Sequence, residues 1–202
     1  MRQQLAPNGE RLLVHVSNFR PVKRIADCVD VLHRLRGRVR ARLVMVGDGP
    51  DRSLAEWLAR RNGVAEDVLF VGKQPRIIDY LSAADVLLLP SETESFGLAA
   101  LEAMACEVPV VASDAGGLPE VVVDSTTGFL CPVGNVDAMA ERAYQLLSDR
   151  DLHAEFARRG RDRAVEHFNA DAVIPQYERY YEEVLARAGD GRAEPAAGEG
   201  RG

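Results

Sequence analysis

Six short apolar runs, alternating with longer segments of helical period, constrain this chain more than any other feature of its 202 residues. The runs are Leu12–Ser17, Ala41–Val46, Val68–Val71, Asp85–Pro90, Val108–Ser113 and residues 128–130; between them lie Arg20–Leu35, Asp51–Asn62, Arg76–Ser82, a helix near Gly97–Ala105 and a short one from Leu118. Runs of four to six residues rich in valine and leucine suit strands, and amphipathic segments of ten or more suit helices. Val86-Leu-Leu-Leu89 is continuously apolar, as a strand covered on both faces must be, so the sheet is expected to be parallel. The fold class that follows is α/β: a Rossmann-like, doubly wound parallel sheet with ligands beyond the carboxyl ends of its strands.

From Asn135 onward the period is helical throughout, over Val136–Leu147, Leu152–His167 and Asp171–Ala186. Residues 1–10 are expected to form a lead-in, 11–187 one domain, and 188–202, rich in Gly, Ala and Pro, a disordered tail. Apolar residues at 47% exclude a disordered chain, and no stretch is long and apolar enough for a membrane span. The net charge of −6 argues against a nucleic-acid binder, although residues 1–63 carry 13 Lys and Arg against 6 Asp and Glu and leave room for an anion there. Cys28, Cys106 and Cys131 have neither metal spacing nor an even count for disulfides, and the N-terminus has no signal-peptide core, so the cytoplasm is the expected compartment.

Three segments could carry chemistry. Ser91-Glu-Thr-Glu-Ser-Phe-Gly-Leu-Ala-Ala-Leu-Glu102 follows the fourth strand and opens a helix. It sets Glu94 in the loop and Glu102 inside the helix, with the free amides of a helix N-terminus near Gly97 and Leu98. Phosphate suits those amides and sugar hydroxyls suit the carboxylates; the plainer alternative is a Glu favourable to the helix dipole and a solvated helical Glu. Ser17-Asn-Phe-Arg-Pro-Val-Lys23 places Arg20 and Lys23 at the first strand-to-helix turn, where two cations can neutralise a diphosphate without a metal, or are merely exposed turn residues. Val46-Gly-Asp-Gly-Pro50 permits close backbone approach at Gly47, or serves chain reversal alone. Gly116-Gly-Leu-Pro-Glu120 is as readily architectural, and His15, within a strand, reads as a core histidine.

Other features carry less. Asp149-Arg-Asp151 falls between two helices, where capping explains it better than a metal. The basic run Arg34–Arg42 lacks interleaved aromatics, and Gly37 with its cations suits a helix C-terminus, which argues against nucleic acid.

Taken in order, residues 17–24, Gly47-Asp-Gly-Pro50, Phe70-Val-Gly-Lys73, Ala84-Asp-Val-Leu-Leu-Leu-Pro-Ser91, the Glu94 and Glu102 pair, and 116–120 closely resemble the C-terminal, nucleotide-sugar-binding half of the family 4 retaining glycosyltransferases of the GT-B fold. The resemblance covers roughly residues 11–186. Within the family, residues 14–24 look most like the subgroup that glycosylates L-malate at the start of bacillithiol synthesis. The resemblance implies UDP-N-acetylglucosamine as donor, retention of anomeric configuration, no cofactor and no metal. It implies Glu94 on the donor-sugar hydroxyls, Glu102 on the ribose, Lys23 and the amides of Gly97 and Leu98 on the diphosphate, and the backbone around Lys73 and Gln74 beside the uracil, with Asn18, Gly47 and Phe96 also in the site. Many members have Gly-Arg where this chain has Ser17-Asn18, so Arg20 is expected to stand in for the missing arginine.

The GT-B architecture also implies an N-terminal domain that supplies the acceptor pocket. The chain starts just before its first strand, so it reads as an excised or truncated half that transfers little by itself, with oligomeric state left open. Val173, Ile174, Tyr177, Tyr180, Tyr181 and Val184 form an apolar stripe on the last helix, available to that absent domain or to the core. Two alternatives stand: a non-catalytic nucleotide-sugar-binding or interaction module, and a sugar-nucleotide epimerase, which the Glu94 and Glu102 spacing suits less well.

Overall fold

The computed structural model describes residues 1–190, which divide into two compact units, one of residues 1–164 and one from Val165 on. In the first unit six strands, β1 (Arg11–Ser17), β2 (Ala41–Gly47), β3 (Val68–Gly72), β4 (Val86–Leu89), β5 (Val110–Ser113) and β6 (Gly128–Cys131), form one sheet in the order β3-β2-β1-β4-β5-β6. Every neighbouring pair is parallel. The expected doubly wound α/β sheet is therefore present. Its direction of winding reverses between β1 and β4, and such a reversal splays the crossovers apart and leaves a crevice at the strand ends.

Helices α1 (Arg2–Leu5), α2 (Ile25–Leu35), α3 (Arg52–Arg61), α4 (Ile77–Leu81), α5 (Leu98–Ala105), α6 (Leu118–Val121), α7 (Val136–Ser148) and α8 (Arg150–His167) accompany the sheet. Burial of Val86, Leu87, Leu88 and Leu89 on both faces of β4 is what its unbroken apolar run foretold. Ile25, Val29, Leu32 and Leu35 of α2 join Met139, Ala143, Leu146 and Leu147 of α7 in the same core. Each of these Ile, Val, Leu and Met side chains contributes on the order of 1.5–3 kcal/mol by leaving water.

Three local features depart from the sequence reading. The lead-in holds a helical turn, α1, because the Arg2 guanidinium donates to the Ala83 carbonyl at 2.6 Å and pairs with Asp85 at 2.8 Å, while Leu5 is buried. The segment expected as one helix over Arg20–Leu35 is two pieces: a 3-10 turn, Pro21–Lys23, and then α2. Arg24 breaks them apart with φ 48°, a left-handed conformation held by its pairs with Asp27 at 2.8 Å and Glu92 at 3.5 Å. In the second unit α9 (Ala170–Asp190) extends past the expected domain end at 187, and the rest of the expected tail lies outside the described residues. Its tyrosines 177, 180 and 181 are each about 60% exposed.

Two cations of the basic run are paired with acids of α7. Arg34 pairs with Asp137, and Arg38 with Glu141 at 2.8 Å while lying over the Tyr144 ring. Asp149 caps α8 by accepting from the Asp151 and Leu152 amides at 3.0 Å. Among the described residues no helix is long and apolar enough to cross a membrane.

Candidate functional site

The crevice at the β1/β4 reversal is a depression of about 250 Å³ lined by Val16, Ser17, Asn18, Lys23, Leu89 and residues 94–99. Two loops build it. The first leaves β1 and folds back under the loop after β2: the Phe19 amide donates to the Asp48 carbonyl at 3.1 Å, and the Asp51 amide to the Phe19 carbonyl at 3.0 Å. The second leaves β4 at Ser91 and is anchored at both ends, by the Glu92 amide on the Val22 carbonyl at 2.8 Å and by the Gly117 amide on the Glu94 carbonyl at 2.7 Å.

Between these loops the Lys23 ammonium sits 2.6 Å from Glu94 Oε2, which also accepts from the Ser91 hydroxyl at 3.3 Å. Gly97, at φ 99°, turns the chain into α5. A Cβ there would lie 2.8 Å from a Leu118 methyl. The helix ladder of α5 begins at the Ala100 amide, which donates to the Gly97 carbonyl at 2.9 Å, so the Gly97 and Leu98 amides precede it and lie in the same depression as Lys23. The depression therefore joins a cation and a helix N-terminus to a carboxylate: donors for an anion on one side, an acceptor for hydroxyls on the other.

Of the residues singled out in the sequence, Asn18, Lys23, Glu94, Phe96, Gly97 and Leu98 line this depression. Arg20, Gly47, Lys73, Gln74 and Glu102 do not. Arg20 is exposed at the head of the 3-10 turn. Gly47 ends β2 opposite Ser17 with φ 130°, and a Cβ would fall 1.8 Å from the Ser17 carbonyl oxygen, so this glycine sets the spacing of the strand ends. Lys73 is exposed, and the Gln74 amide donates to the Val71 carbonyl at 2.6 Å within its own loop. Glu102 lies in the second turn of α5, where partial burial raises its carboxyl above the usual range.

A second depression of about 230 Å³ lies at the opposite end of the sheet. Glu10, Arg36, Arg40 and Asp67 line it, charges of both signs in equal number. The convergent polarity at the β1/β4 reversal is absent there.

His15 is the core histidine expected from the sequence, and Ser17, to which no role was assigned there, is its partner. His15 is wholly buried, with Nδ1 2.8 Å from the Leu88 carbonyl oxygen and Nε2 2.7 Å from Ser17 Oγ. Burial pushes its pKa down to about 4. The unfolded chain binds this proton near pH 6.5, so it takes it up first as pH falls. Stability from His15 is therefore complete above about pH 6.5 and is lost progressively toward pH 4, by roughly 3 kcal/mol in all. Urea midpoints measured between pH 7 and 4 should fall accordingly, and a His15→Leu variant should lose that part of the slope; an unchanged slope would contradict a buried neutral imidazole.

The model of the protein family "Glycosyl transferases group 1" matches residues 1–163. The chain is 42% identical over 177 residues to N-acetyl-alpha-D-glucosaminyl L-malate synthase of Bacillus anthracis, covering 88% of this chain and 46% of that protein. Among solved structures it is similar to sucrose-phosphate synthase from Thermosynechococcus elongatus, with TM-score 0.82, 32% identity and coverage of 92% of this chain and 48% of that one. It is also similar to Anabaena HepE in complex with UDP-glucose, with TM-score 0.84, 26% identity and coverage of 90% and 51%. The chain thus spans about half the length of the relatives it matches.

Proposed function

We propose, from the premise that this chain belongs to the glycosyl transferases group 1 family, that it is the donor-binding half of a retaining GT-B glycosyltransferase. The donor is UDP-N-acetylglucosamine, and the acceptor is a small hydroxy acid such as L-malate. The observation that carries this reading is the meeting of Lys23, Glu94 and the α5 N-terminus at the β1/β4 reversal. The similarity to the Bacillus anthracis synthase supports the choice of sugar and acceptor, and the HepE complex supports a uridine diphosphate sugar.

In the free chain Lys23 and Glu94 neutralise each other. An arriving donor separates them: the ammonium turns to the diphosphate, joined by the Gly97 and Leu98 amides, and the carboxylate accepts from sugar hydroxyls. Departure of UDP concentrates negative charge on the diphosphate, where the cation and the helix amides already point, so they bind the transition state better than the ground state. Glu102 accepts from the ribose hydroxyls, a task for which a carboxylate one helical turn deeper suits. The acceptor pocket comes from a second domain, and without it the chain binds donor but transfers little. The unpaired thiols of Cys28, Cys106 and Cys131 support the cytoplasm as its compartment.

Calorimetric titration with UDP, UDP-N-acetylglucosamine and ADP, with and without magnesium, tests the reading. Saturable UDP binding that is indifferent to magnesium and absent for ADP is expected. Glu102→Ala should weaken UDP roughly tenfold, the effect of losing hydrogen bonds to a charged group. Equal binding of ADP, or a Glu102→Ala variant that binds UDP like the parent, would contradict it.

A further inference from the structure

His15 and Ser17, at the end of β1, form a hydrogen-bond chain that leads from the core into the depression. The pairing of β1 with β4 ends at Val14 and Leu87. The next residue of β1 reaches β4 through its imidazole instead, with Nδ1 2.8 Å from the Leu88 carbonyl oxygen. A carbonyl oxygen only accepts, so Nδ1 carries the hydrogen. A ring this deeply buried is neutral at pH 7, which leaves Nε2 bare. The group 2.7 Å from Nε2 is the Ser17 hydroxyl, which must donate to it. Its proton committed to the core, the Ser17 oxygen has only lone pairs left to offer.

We propose that Ser17 is an acceptor-only contact for the donor sugar, taking a hydrogen bond from a hydroxyl or from the acetamido N–H, and that His15 is the positioning residue that holds it so. The proposal rests on the donor-binding reading above and specifies one wall of its site. A serine with a free rotor would turn its proton toward a phosphate oxygen. This one could do so only by leaving His15 Nε2 unpaired in the core, a loss that outweighs an exposed hydrogen bond. Ser17 and Glu94 thus form an accepting wall for the sugar, while Lys23 and the α5 amides form a donating wall for phosphate.

Nitrogen-15 NMR of the full chain tests the first step with no ligand. His15 should carry its hydrogen on Nδ1 alone at pH 7, and Ser17→Ala should move the Nε2 resonance. A hydrogen on Nε2, or on both nitrogens, would overturn the proposal. Calorimetry with UDP and UDP-N-acetylglucosamine tests the second step. Ser17→Ala should leave UDP within about twofold and weaken UDP-N-acetylglucosamine by roughly three- to tenfold. His15→Phe should show the same selective loss, and His15→Gln, whose amide can both donate and accept, should recover part of it. The double variant Ser17→Ala, His15→Phe should be no less selective than Ser17→Ala. Equal losses for both ligands would make Ser17 a phosphate contact, and unaltered selectivity would remove it from the sugar site; either result overturns the proposal. A parent chain that binds neither ligand fails the donor-binding reading and takes the Ser17 contact with it, an outcome distinct from the variant results.

Discussion

Lys23→Ala is expected to weaken UDP and UDP-N-acetylglucosamine together, by roughly ten- to a hundredfold, while Glu94→Ala spares UDP and removes only the affinity that the sugar adds. The asymmetry follows from the ion pair of the free chain. Lys23 Nζ and Glu94 Oε2 lie 2.6 Å apart, and each side chain is only 19% exposed. Water screens such a pair incompletely, so part of the attraction between ammonium and diphosphate goes into parting Lys23 from Glu94. Removing Glu94 lifts that cost, and UDP should bind as well as before or a few-fold better. Removing Lys23 takes away the cation and leaves Glu94 to repel the phosphates. Isotherms for the two ligands with both variants decide the matter. A Glu94→Ala variant that loses UDP as severely as Lys23→Ala would assign the carboxylate to phosphate or to the fold, and the division of roles proposed here would fail.

Gly116→Ala should be more damaging than either, with a loss of stability on the order of 3–5 kcal/mol and no measurable donor binding. Two effects combine at this position. Gly116 has φ 56°, a left-handed conformation that a side chain resists. An added Cβ would also fall 2.0 Å from the Glu94 carbonyl oxygen and 2.9 Å from the Glu94 amide nitrogen. The neighbour is backbone on both counts, so it cannot rotate away; the loop that presents Glu94 would have to move. Gly37 supplies the comparison, with φ 82° and nothing within 4 Å of its Cβ. Gly37→Ala should cost only about 1 kcal/mol of backbone strain and leave binding intact. Urea denaturation of the two variants, read beside UDP titrations, checks both effects. Similar losses at the two glycines would mean that strain alone, and not the approach to Glu94, governs position 116.

The strands were legible because a parallel sheet buries both faces of its strands, and Val86–Leu89 records that burial directly in its composition. The order of the strands was legible only through the fold class, since no local pattern says that β4 lies beside β1. Of the candidate site, Lys23, Glu94 and Gly97 could be found from the sequence because each follows a strand end and alters charge or backbone freedom there, and Leu98 because its amide opens the helix that follows. Gly116 looked architectural, and its tie to Glu94 depends on a contact between two loops. Arg24 escaped for a different reason: a left-handed break is signalled by glycine, and here an arginine tolerates it through its pairs with Asp27 and Glu92. His15 looked like a core residue and is one; its consequence appears only when the Leu88 carbonyl and the Ser17 hydroxyl fix where its proton lies. Arg34 and Arg38 of the basic run found partners on α7, about a hundred positions away, which no local pattern could announce.

The diphosphate of a nucleotide sugar is expected to land on the α5 N-terminus beside Lys23. Backbone amide NMR of the full chain, titrated with UDP, tests it most directly. The largest shifts are expected at the Gly97 and Leu98 amides, moved in the direction of stronger hydrogen bonding, with smaller shifts over residues 17–23. Saturating shifts confined to Arg36, Arg40 and their neighbours at the opposite end of the sheet, with Gly97 and Leu98 unmoved, would contradict it.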